Sequence, residues 1–340
     1  TLGVVVRAGA GVNTIDVSAA SRRSILVANC PGKNSIAVAE LTFALILALD
    51  RRVVDNTVDL REGRWNKKEY SKARGLKGRT LGIVGLGSIG LAVAARAKAF
   101  EMNVAAFSRS FTPQMAAELG IVYCRSASEL ASRCDILSIH LAATPQTKRI
   151  IDASVLSQLA PGSYLINTSR ADVVDYEALA RAVKEKDLRV GLDVFPDEPS
   201  GGTGEFRAAI LDAGGVVCGT HHIGASTDQA QDAIASETVR IVQEYLHTGR
   251  VLNCVNLAVK SRARFVLVVR HLNRPGVLAH TLIEISLAGF NVEEQPVAMR
   301  QSPTGKSMHS CIIRPMFYVF KMLLSIMVTL LREPPPAPPK

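Results

Sequence analysis

The sequence predicts an α/β protein of two Rossmann-like, doubly wound domains, followed by a smaller, partial α+β unit. Short apolar runs bounded by Gly, Pro, Asn or Asp alternate with longer helical patterns, which is typical of parallel α/β layers. The chain has 340 residues, enough for two ordinary domains and part of a third. Because 48% of the residues are hydrophobic, large cores can be buried and bulk disorder is not expected.

The apolar runs predict eight short strands, at residues 3–6, 25–28, 81–84, 104–107, 136–140, 163–167, 190–193 and 216–219. The helical patterns between them cover residues 37–61, 90–100, 176–186 and 228–246. The 37–61 pattern is apolar around most of its surface up to Leu49, as expected for a helix packed where two domains meet. After a basic linker at 258–263, a small unit follows with a strand at 265–269, a helix at 277–288 and a strand at 292–299.

The net charge of +10 and the six cysteines bear on which partners, metal sites and compartments are expected. The basic stretch between Leu60 and Leu81 lacks the interleaved aromatic residues of single-strand binding sites, so nucleic acid is not an expected partner. The cysteines show no metal-ligand spacing, so no metal site is predicted. Free thiols in a reducing compartment, the cytoplasm, are expected, with organellar targeting left open. Residues 322–331 are about half the length needed to cross a bilayer, so no membrane span is predicted.

A glycine-rich turn, GLGSIG, supplies Gly85, Gly87 and Gly90 between a predicted strand and a predicted helix. The first glycine permits a tight turn, the second lets backbone approach a pyrophosphate, and the third allows close packing of the helix. The N-terminus of that helix favours negative charge. The pattern predicts a dinucleotide-binding site, and a turn used only for packing is the alternative.

The second strand of such a unit usually ends on a carboxylate, which accepts hydrogen bonds from the ribose 2′-hydroxyl. Here the strand at 104–107 is followed by Ser108 and Arg109. Without the carboxylate a 2′-phosphate is not repelled, and a guanidinium offers donors suited to phosphate. The expected cofactor is therefore NAD or NADP, with Arg109 favouring NADP. An arginine that only points into water at a loop tip, or that stacks on adenine, is the alternative.

Three further stretches each end a predicted strand: LINTSRADVVD, GLDVFPDEP and GTHHIGAST. Ligands bind at the carboxyl ends of strands in open α/β sheets, so Arg170, Glu198 and His222 are expected on one rim with the glycine turn. An imidazole can take the proton of a hydroxyl group, and a carboxylate can orient the imidazole. A guanidinium gives a two-point contact to a substrate carboxylate.

Together with VRAGAGVNTID (6–16) and NSIAVAE (34–40), these motifs resemble the D-isomer-specific 2-hydroxyacid dehydrogenases over residues 1–314. The resemblance implies that His222 is the catalytic base, that Glu198 orients its ring and that Arg170 binds the substrate carboxylate. It implies further cofactor contacts from Ser88, Ile89, Thr168, Asp193 and Gly224. The implied substrate contacts are the backbone of Ala8 and Gly9 for the carboxylate, and Arg7 and Arg51 for a substrate phosphate.

Besides the missing acid at Ser108 and Arg109, and Ala171 in SRAD where the family more often has glycine, the chain departs from the family pattern at two places. His221 stands where the family has proline, which leaves two candidate imidazoles, and the register of HIGAS favours His222. The strand at 3–6 resembles a middle strand of the family's substrate domain. We therefore expect that the opening βα units are absent and that one edge of the parallel sheet is unpaired.

The stretch at 268–295, VVRHLNRPGVLAHTLIEISLAGFNVEEQ, resembles the start of an ACT regulatory domain, a βαββαβ module. The resemblance implies that L-serine binds at His271, Asn273 and Asn291, and plain capping and turn chemistry is the alternative. The resulting division is a substrate-binding domain at 1–74, an NAD(P)-binding domain at 75–225 and a return helix at 226–257. A partial ACT unit at 264–314 and a tail unlike the family at 315–340 complete the chain.

The resemblance implies NAD(P)-dependent oxidation of 3-phospho-D-glycerate to 3-phosphohydroxypyruvate, at the entry to L-serine biosynthesis. Two alternatives stay open. One is an NADPH-dependent hydroxypyruvate or glyoxylate reductase, which Ser108 and Arg109 suggest. The other is an NAD(H)-sensing corepressor of the C-terminal-binding protein type, a group without an ACT domain. The expected partners are a small phosphorylated hydroxy acid and, by analogy, further copies of the chain in a homodimer or homotetramer, with no membrane partner.

Overall fold

A computed structural model describes residues 2–199, 202–257, 267–272, 277–287, 297–301 and 307–313. The chain divides into two compact units, Thr1–Asn256 and Leu257–Lys340. The strands of the first unit are β1 (Val4–Val6), β2 (Leu26–Ala28), β3 (Thr80–Val84), β4 (Asn103–Phe107), β5 (Val122–Tyr123), β6 (Ile136–Ile139), β7 (Tyr164–Asn167), β8 (Arg189–Leu192) and β9 (Val217–Gly219). Its helices are α1 (Val17–Arg22), α2 (Ser35–Arg51), α3 (Val53–Arg61), α4 (Lys67–Tyr70), α5 (Ser88–Ala99), α6 (Pro113–Leu119), α7 (Ala127–Ala131), α8 (Ala153–Gln158), α9 (Tyr176–Lys186) and α10 (Asp228–Thr248).

Seven strands form one parallel sheet with the order β5-β4-β3-β6-β7-β8-β9. Side chains along each strand alternate between two buried cores, so that Leu165 lies in one and Tyr164 and Ile166 lie in the other. Because both faces of the sheet are buried, the sequences of these strands are continuous apolar runs. The strand order reverses between β3 and β6, and ligands of open α/β sheets bind at such a point.

The sequence predicted one helix over residues 37–61, and this prediction is wrong. The structure has two helices, α2 and α3, separated by Arg52 in the left-handed conformation with φ 50° and ψ 45°. The break is stabilised by the Arg52 side chain, which donates to Asp55 at 2.9 Å and to Glu69 at 2.8 Å. No glycine or proline lies at this break, so no local sequence signal predicts it.

Helix α2 packs on the seven-stranded sheet, where Phe43, Ile46 and Leu49 share a core with Ile83 and Ile166. The predicted domain at 1–74 includes α2, which packs in the helix layer of the seven-stranded sheet. The remainder of the first lobe is small: β1 and β2 pair in parallel, and Ala28 forms an antiparallel bridge with Cys254. Among the described residues β1 has no second neighbouring strand.

Helix α10 returns the chain to the β1–β2 pair. Ile234 and Ile241 pack in a core with Ala28 and Cys30, and Thr227 caps the helix by accepting a hydrogen bond from the N–H of Ala230. Among the described helices, none combines the length and the apolar character needed to cross a membrane.

The second unit contains β10 (Leu267–Leu272), α11 (Val277–Leu287), β11 (Val297–Gln301) and β12 (Ser307–Ile313). The strand order is β10-β12-β11, with both pairs antiparallel. Because β12 lies between two strands that run the same way, this is the split βαβ arrangement of ferredoxin-like modules. The backbone of His271 lies in β10, whereas Asn273, Asn291 and the tail at 315–340 lie outside the described residues.

Candidate active site

The carboxyl ends of β3, β7, β8 and β9 all lie at one edge of the sheet because the strands are parallel. The glycine turn follows β3 at this edge. Gly85 has φ 95°, and a Cβ atom there would collide with the carbonyl oxygen of His140. A Cβ atom on Gly90 would collide with the carbonyl of Gly85, whereas nothing lies within 4 Å of the corresponding position on Gly87. The outer two glycines are therefore needed for the turn itself, and the middle one faces open space.

Helix α5 begins directly after Gly87, which supplies no side chain to cap it. The first backbone N–H groups of a helix, here those of Ser88, Ile89 and Gly90, have no acceptor within the helix and favour an anion. Behind the turn, His140 stays neutral because burial lowers its pKa to about 3. The geometry of this turn, the cradle of residues 85–90, is compatible with a pyrophosphate.

Ser108 and Arg109 lie beside the glycine turn. The N–H of Gly85 donates to the carbonyl of Phe107 at 2.8 Å, so the end of β4 is joined directly to the cradle. Ser108 is half-buried and Arg109 is exposed. The end of this strand therefore presents a hydroxyl and a guanidinium where a carboxylate is usual.

Two arginines, Arg7 and Arg170, converge on the loop at residues 7–11. The Nη1 atom of Arg170 donates to the carbonyl of Ser169 at 2.7 Å, and its Nη2 atom lies against Gly11. The Nη1 atom of Arg7 donates to the carbonyl of Ala8 at 2.8 Å and lies against Gly9. Burial lowers the pKa of the Arg170 guanidinium, the charge of Arg7 lowers it further, and Glu198 opposes both effects. Two positive charges therefore lie near each other at this rim.

The loop between these arginines exposes backbone donors. Gly9 has φ 144° and is buried, while its carbonyl accepts from the N–H of Cys30 at 2.9 Å. Neither the N–H of Ala8 nor that of Gly9 donates to another described residue. Free amides beside two guanidinium groups form a site suited to a carboxylate or phosphate.

Glu198 and His222 form the closest acid–imidazole pair of the site, with 2.7 Å between Oε2 and Nδ1. The other oxygen, Oε1, accepts from the N–H of Phe195 at 2.8 Å, which fixes the carboxylate. Because a carboxylate accepts, Nδ1 carries the proton and Nε2 is left as the basic nitrogen. His221 is exposed, and among the described residues it forms no ion pair with a carboxylate. The geometry therefore selects His222 of the two candidate imidazoles.

Asp193 holds the loop that carries His222. Its buried carboxylate accepts from the hydroxyl of Thr220 at 2.7 Å and from the N–H groups of Ile223 at 2.8 Å and Gly224 at 2.9 Å. His222 lies within this wrapped loop with φ 53°, a conformation that costs about 1–3 kcal/mol and persists only where surrounding contacts impose it. The structure thus places Asp193 and Gly224 as parts of one turn.

Thr168 is buried beneath the site. Its hydroxyl lies 3.1 Å from that of Thr42, which itself donates to the carbonyl of Val38 at 2.8 Å. The Thr168 hydroxyl is therefore the donor of this pair, and it joins the end of β7 to the middle of α2.

Arg51 does not join the site, and its placement there was wrong. Asp50, its neighbour, accepts from the N–H of Gly75 and the hydroxyl of Tyr164, and both donors lie at the amino end of the sheet. The carbonyl of Leu49 accepts from Arg189 at the start of β8. Because α2 runs antiparallel to the strands, its C-terminal residue lies at the edge opposite the cradle.

The sequence did not single out Asn167 or Tyr176. The hydroxyl of Tyr176 donates to the carbonyl of Val194 at 2.6 Å and so fixes the backbone just before Phe195, whose N–H binds Glu198. Burial raises the pKa of this phenol, which keeps it a donor. The cluster of Asn, Thr and Ser after β7 was a signal for side-chain to backbone hydrogen bonding at that turn.

Residues 43–224 match the family described as D-isomer specific 2-hydroxyacid dehydrogenase, NAD binding domain. The chain belongs to the D-isomer-specific 2-hydroxyacid dehydrogenases. This confirms the predicted family, its α/β fold and its NAD or NADP cofactor class.

The similar proteins differ in substrate. The D-3-phosphoglycerate dehydrogenase of Methanocaldococcus jannaschii is 37% identical over 257 residues, which are 75% of this chain and 48% of that protein. The glyoxylate reductase of Thermococcus litoralis is 38% identical over 69% of this chain and 71% of that protein. An NADPH-dependent glyoxylate/hydroxypyruvate reductase from Sinorhizobium meliloti, solved with NADP and malonate, has a TM-score of 0.66 and 31% identity over 75% of this chain and 78% of that one. The chain spans about half the length of the D-3-phosphoglycerate dehydrogenases that it matches.

Proposed function

We propose that this chain carries out NAD(P)-dependent oxidation of 3-phospho-D-glycerate to 3-phosphohydroxypyruvate, the entry to L-serine biosynthesis. The observation that carries the proposal is the convergence of Arg7 and Arg170 on the loop at residues 7–11, in which the amides of residues 8 and 9 have no described acceptor. Two guanidinium groups at one rim suit a substrate with two anionic groups, a carboxylate and a phosphate.

In this proposal Arg170 binds the substrate carboxylate with two parallel N–H donors, supported by the amides of Ala8 and Gly9. The Nε2 atom of His222 takes the proton of the C2 hydroxyl as the C2–O bond becomes a carbonyl. Glu198 accepts a hydrogen bond from the Nδ1–H group of His222 and stabilises the imidazolium that results. A dinucleotide held through its pyrophosphate by residues 85–90 would supply the oxidised nicotinamide ring that accepts the C2 hydride.

The test compares phosphorylated with unphosphorylated substrates. The purified enzyme is expected to reduce 3-phosphohydroxypyruvate with a kcat/KM at least tenfold above that for hydroxypyruvate. Arg7→Ala is expected to raise the KM for the phosphorylated substrate about tenfold, which is about 1.4 kcal/mol. Arg51→Ala, at the opposite edge of the sheet, is the matched control and is expected to leave KM unchanged. Equal effects of the two variants would contradict the role of Arg7.

A second candidate is an NADPH-dependent glyoxylate or hydroxypyruvate reductase. Ser108 and Arg109 favour it because they suit a 2′-phosphate, and two of the similar proteins carry such names. The same substrate comparison separates the candidates, since a reductase of this kind would prefer glyoxylate or hydroxypyruvate and would be insensitive to Arg7→Ala.

The second unit supports a regulatory role within this proposal. Its split βαβ topology is that of the first half of a βαββαβ module. We propose that it is a partial ACT unit that binds L-serine through His271, Asn273 and Asn291. Inhibition by L-serine that is lost in His271→Ala would support this role, and insensitivity of the active enzyme to L-serine would exclude it.

A homodimer is also part of the proposal, with α3 and α4 in the interface. Neither of these fully described helices contains a buried residue, and Trp65 is 80% exposed and Leu60 57% exposed. Apolar side chains at this exposure are better accommodated against a second copy. Leu60→Glu is expected to shift the mass measured by light scattering from dimer to monomer. Free thiols at Cys30, Cys124, Cys134, Cys218 and Cys254 support the proposal of a reducing compartment such as the cytoplasm.

A further inference from the structure

We propose that Asn167 is a positioning residue for Arg170. Asn167 is the last residue of β7 and is fully buried, with none of its surface exposed. A buried amide must satisfy its donors and acceptors within the protein, so the partners of Asn167 show what it holds in place.

The side chain of Asn167 makes three hydrogen bonds to the next three residues, and it also lies close to the hydroxyl of Tyr176. The Nδ2 atom donates to the carbonyl of Arg170 at 2.9 Å. The Oδ1 atom accepts from the N–H of Ser169 at 3.0 Å and from the hydroxyl of Ser169 at 2.8 Å. The side chain therefore folds the backbone after β7 into a closed turn, and both ends of its amide are used.

The same turn holds the guanidinium of Arg170. The Nη1 atom of Arg170 donates to the carbonyl of Ser169, and the N–H of Ser169 donates to Oδ1 of Asn167. A shift of the Ser169 peptide would carry the guanidinium away from the loop at residues 7–11. Small displacements of a group that binds substrate can cost much activity, so the Asn167 amide should control substrate binding at a distance.

Asn167 also joins this turn to the next one along the sheet. Its carbonyl accepts from the N–H of Asp193 at 3.0 Å, and Asp193 organises the loop that carries His222. The turn bearing Arg170 is thus hydrogen-bonded to Asp193, the residue that follows β8, and Asp193 in turn binds the loop bearing His222. The inference rests on the role proposed above for Arg170.

The test uses Asn167→Asp in the full chain. The variant keeps the shape and the Oδ1 acceptor but replaces the Nδ2 donor by an oxygen that repels the Arg170 carbonyl. The substrate is 3-phosphohydroxypyruvate or glyoxylate, whichever the wild-type enzyme reduces. The KM of Asn167→Asp for that substrate is expected to be at least tenfold above the wild-type value. The Kd for NADH, measured by nicotinamide fluorescence, is expected to change less than threefold. The matched control is Asn103→Asp, which also loses an amide to carbonyl bond, from Asn103 to Gly78 at 3.0 Å, at the other edge of the sheet.

Two outcomes would overturn the inference: an unchanged KM in Asn167→Asp, or a loss of NADH binding that matches the loss of turnover, since the latter indicates general damage. Should Asn167→Asp fail to fold, Ser169→Ala removes one of the three bonds and is expected to raise KM two- to fourfold with the NADH Kd unchanged. An unchanged KM in this variant would count against the inference. Arg170→Lys is measured in parallel. If Arg170→Lys leaves KM unchanged, the proposed carboxylate site itself fails, whatever Asn167 does.

Discussion

The carboxylate of Glu198 lies 2.7 Å from Nδ1 of His222, although 24 residues separate the two in the chain. They meet because β8 and β9 are parallel neighbours, so the segments that follow these strands emerge at the same edge of the sheet. A carboxylate held by the N–H of Phe195 fixes the tautomer of the imidazole and leaves Nε2 to exchange a proton with substrate.

This pair predicts unequal effects of two neighbouring histidine substitutions. His222→Gln is expected to lower kcat by a factor of about 10²–10⁴, the usual range for loss of a general acid–base group. His221→Gln is the control and is expected to retain kcat within about threefold. Steady-state kinetics with saturating cofactor measures both. A larger loss in His221→Gln than in His222→Gln would contradict the assignment.

The two glycines at the start of the cradle should respond differently to alanine. Gly85→Ala forces a side chain onto φ 95° and into the carbonyl of His140, so it is expected to lower the free energy of unfolding by about 1–3 kcal/mol or more. Gly87→Ala meets nothing within 4 Å at φ −84°, so stability should be unchanged while the Kd for NADH rises at least tenfold. Urea unfolding and nicotinamide fluorescence test the two expectations. Unchanged NADH affinity in Gly87→Ala would place the pyrophosphate elsewhere.

Arg109 should set the choice between the two cofactors. The exposed guanidinium beside the cradle is expected to favour NADPH, and Arg109→Ala is expected to weaken NADPH binding about tenfold with little effect on NADH. Ser108→Asp restores an acid next to the strand end and is expected to reverse the preference. A preference for NADH in the unmodified protein would refute this reading of Ser108 and Arg109.

Glu237 should make the stability of the first unit sensitive to acid. Hydrogen bonding from Arg240, followed by bonds from Asn253 and Lys33, lowers the pKa of this carboxyl from 4.5 to about 2. Because the pKa is lower in the folded than in the unfolded state, the ionised carboxylate adds to the free energy of unfolding. This contribution is fully present above about pH 4.5 and is lost as the pH falls towards 2. Glu237→Gln is therefore expected to cost about 1.5–3 kcal/mol at pH 7, with the difference from wild type shrinking as the pH falls.

Chemical unfolding at pH 7 and at pH 3 checks this expectation. Glu244→Gln, at a half-buried position of the same helix that forms no ion pair among the described residues, is the control and is expected to change stability by less than about 0.5 kcal/mol at either pH. A cost for Glu237→Gln that is the same at both pH values would argue that packing, and not charge, gives Glu237 its effect.

Much of the architecture can be predicted from the sequence. The run LGIVGLGSIG predicted β3, the turn and α5 because burial on both faces requires a continuous apolar strand and a tight turn requires glycine. Helix α9 begins and ends where the pattern predicted, since its apolar residues recur at helical spacing and Asp175 caps it. The break at Arg52 could not be predicted from the sequence, because it depends on Glu69 and Tyr70. These residues are distant in sequence and contact the Arg52 side chain only in the folded chain.

The sequence by itself determined the parallel α/β layers, the cradle for a dinucleotide and the set of residue types at the strand ends. Each of these follows from local periodicity or from a residue type required at one backbone position. Only the tertiary structure decided which imidazole meets Glu198, that Arg51 lies at the far edge of the sheet, and that Asp193 and Asn167 fold the two turns of the site. The physical reason is that these facts depend on strand order and helix direction, which bring together residues that no local pattern connects.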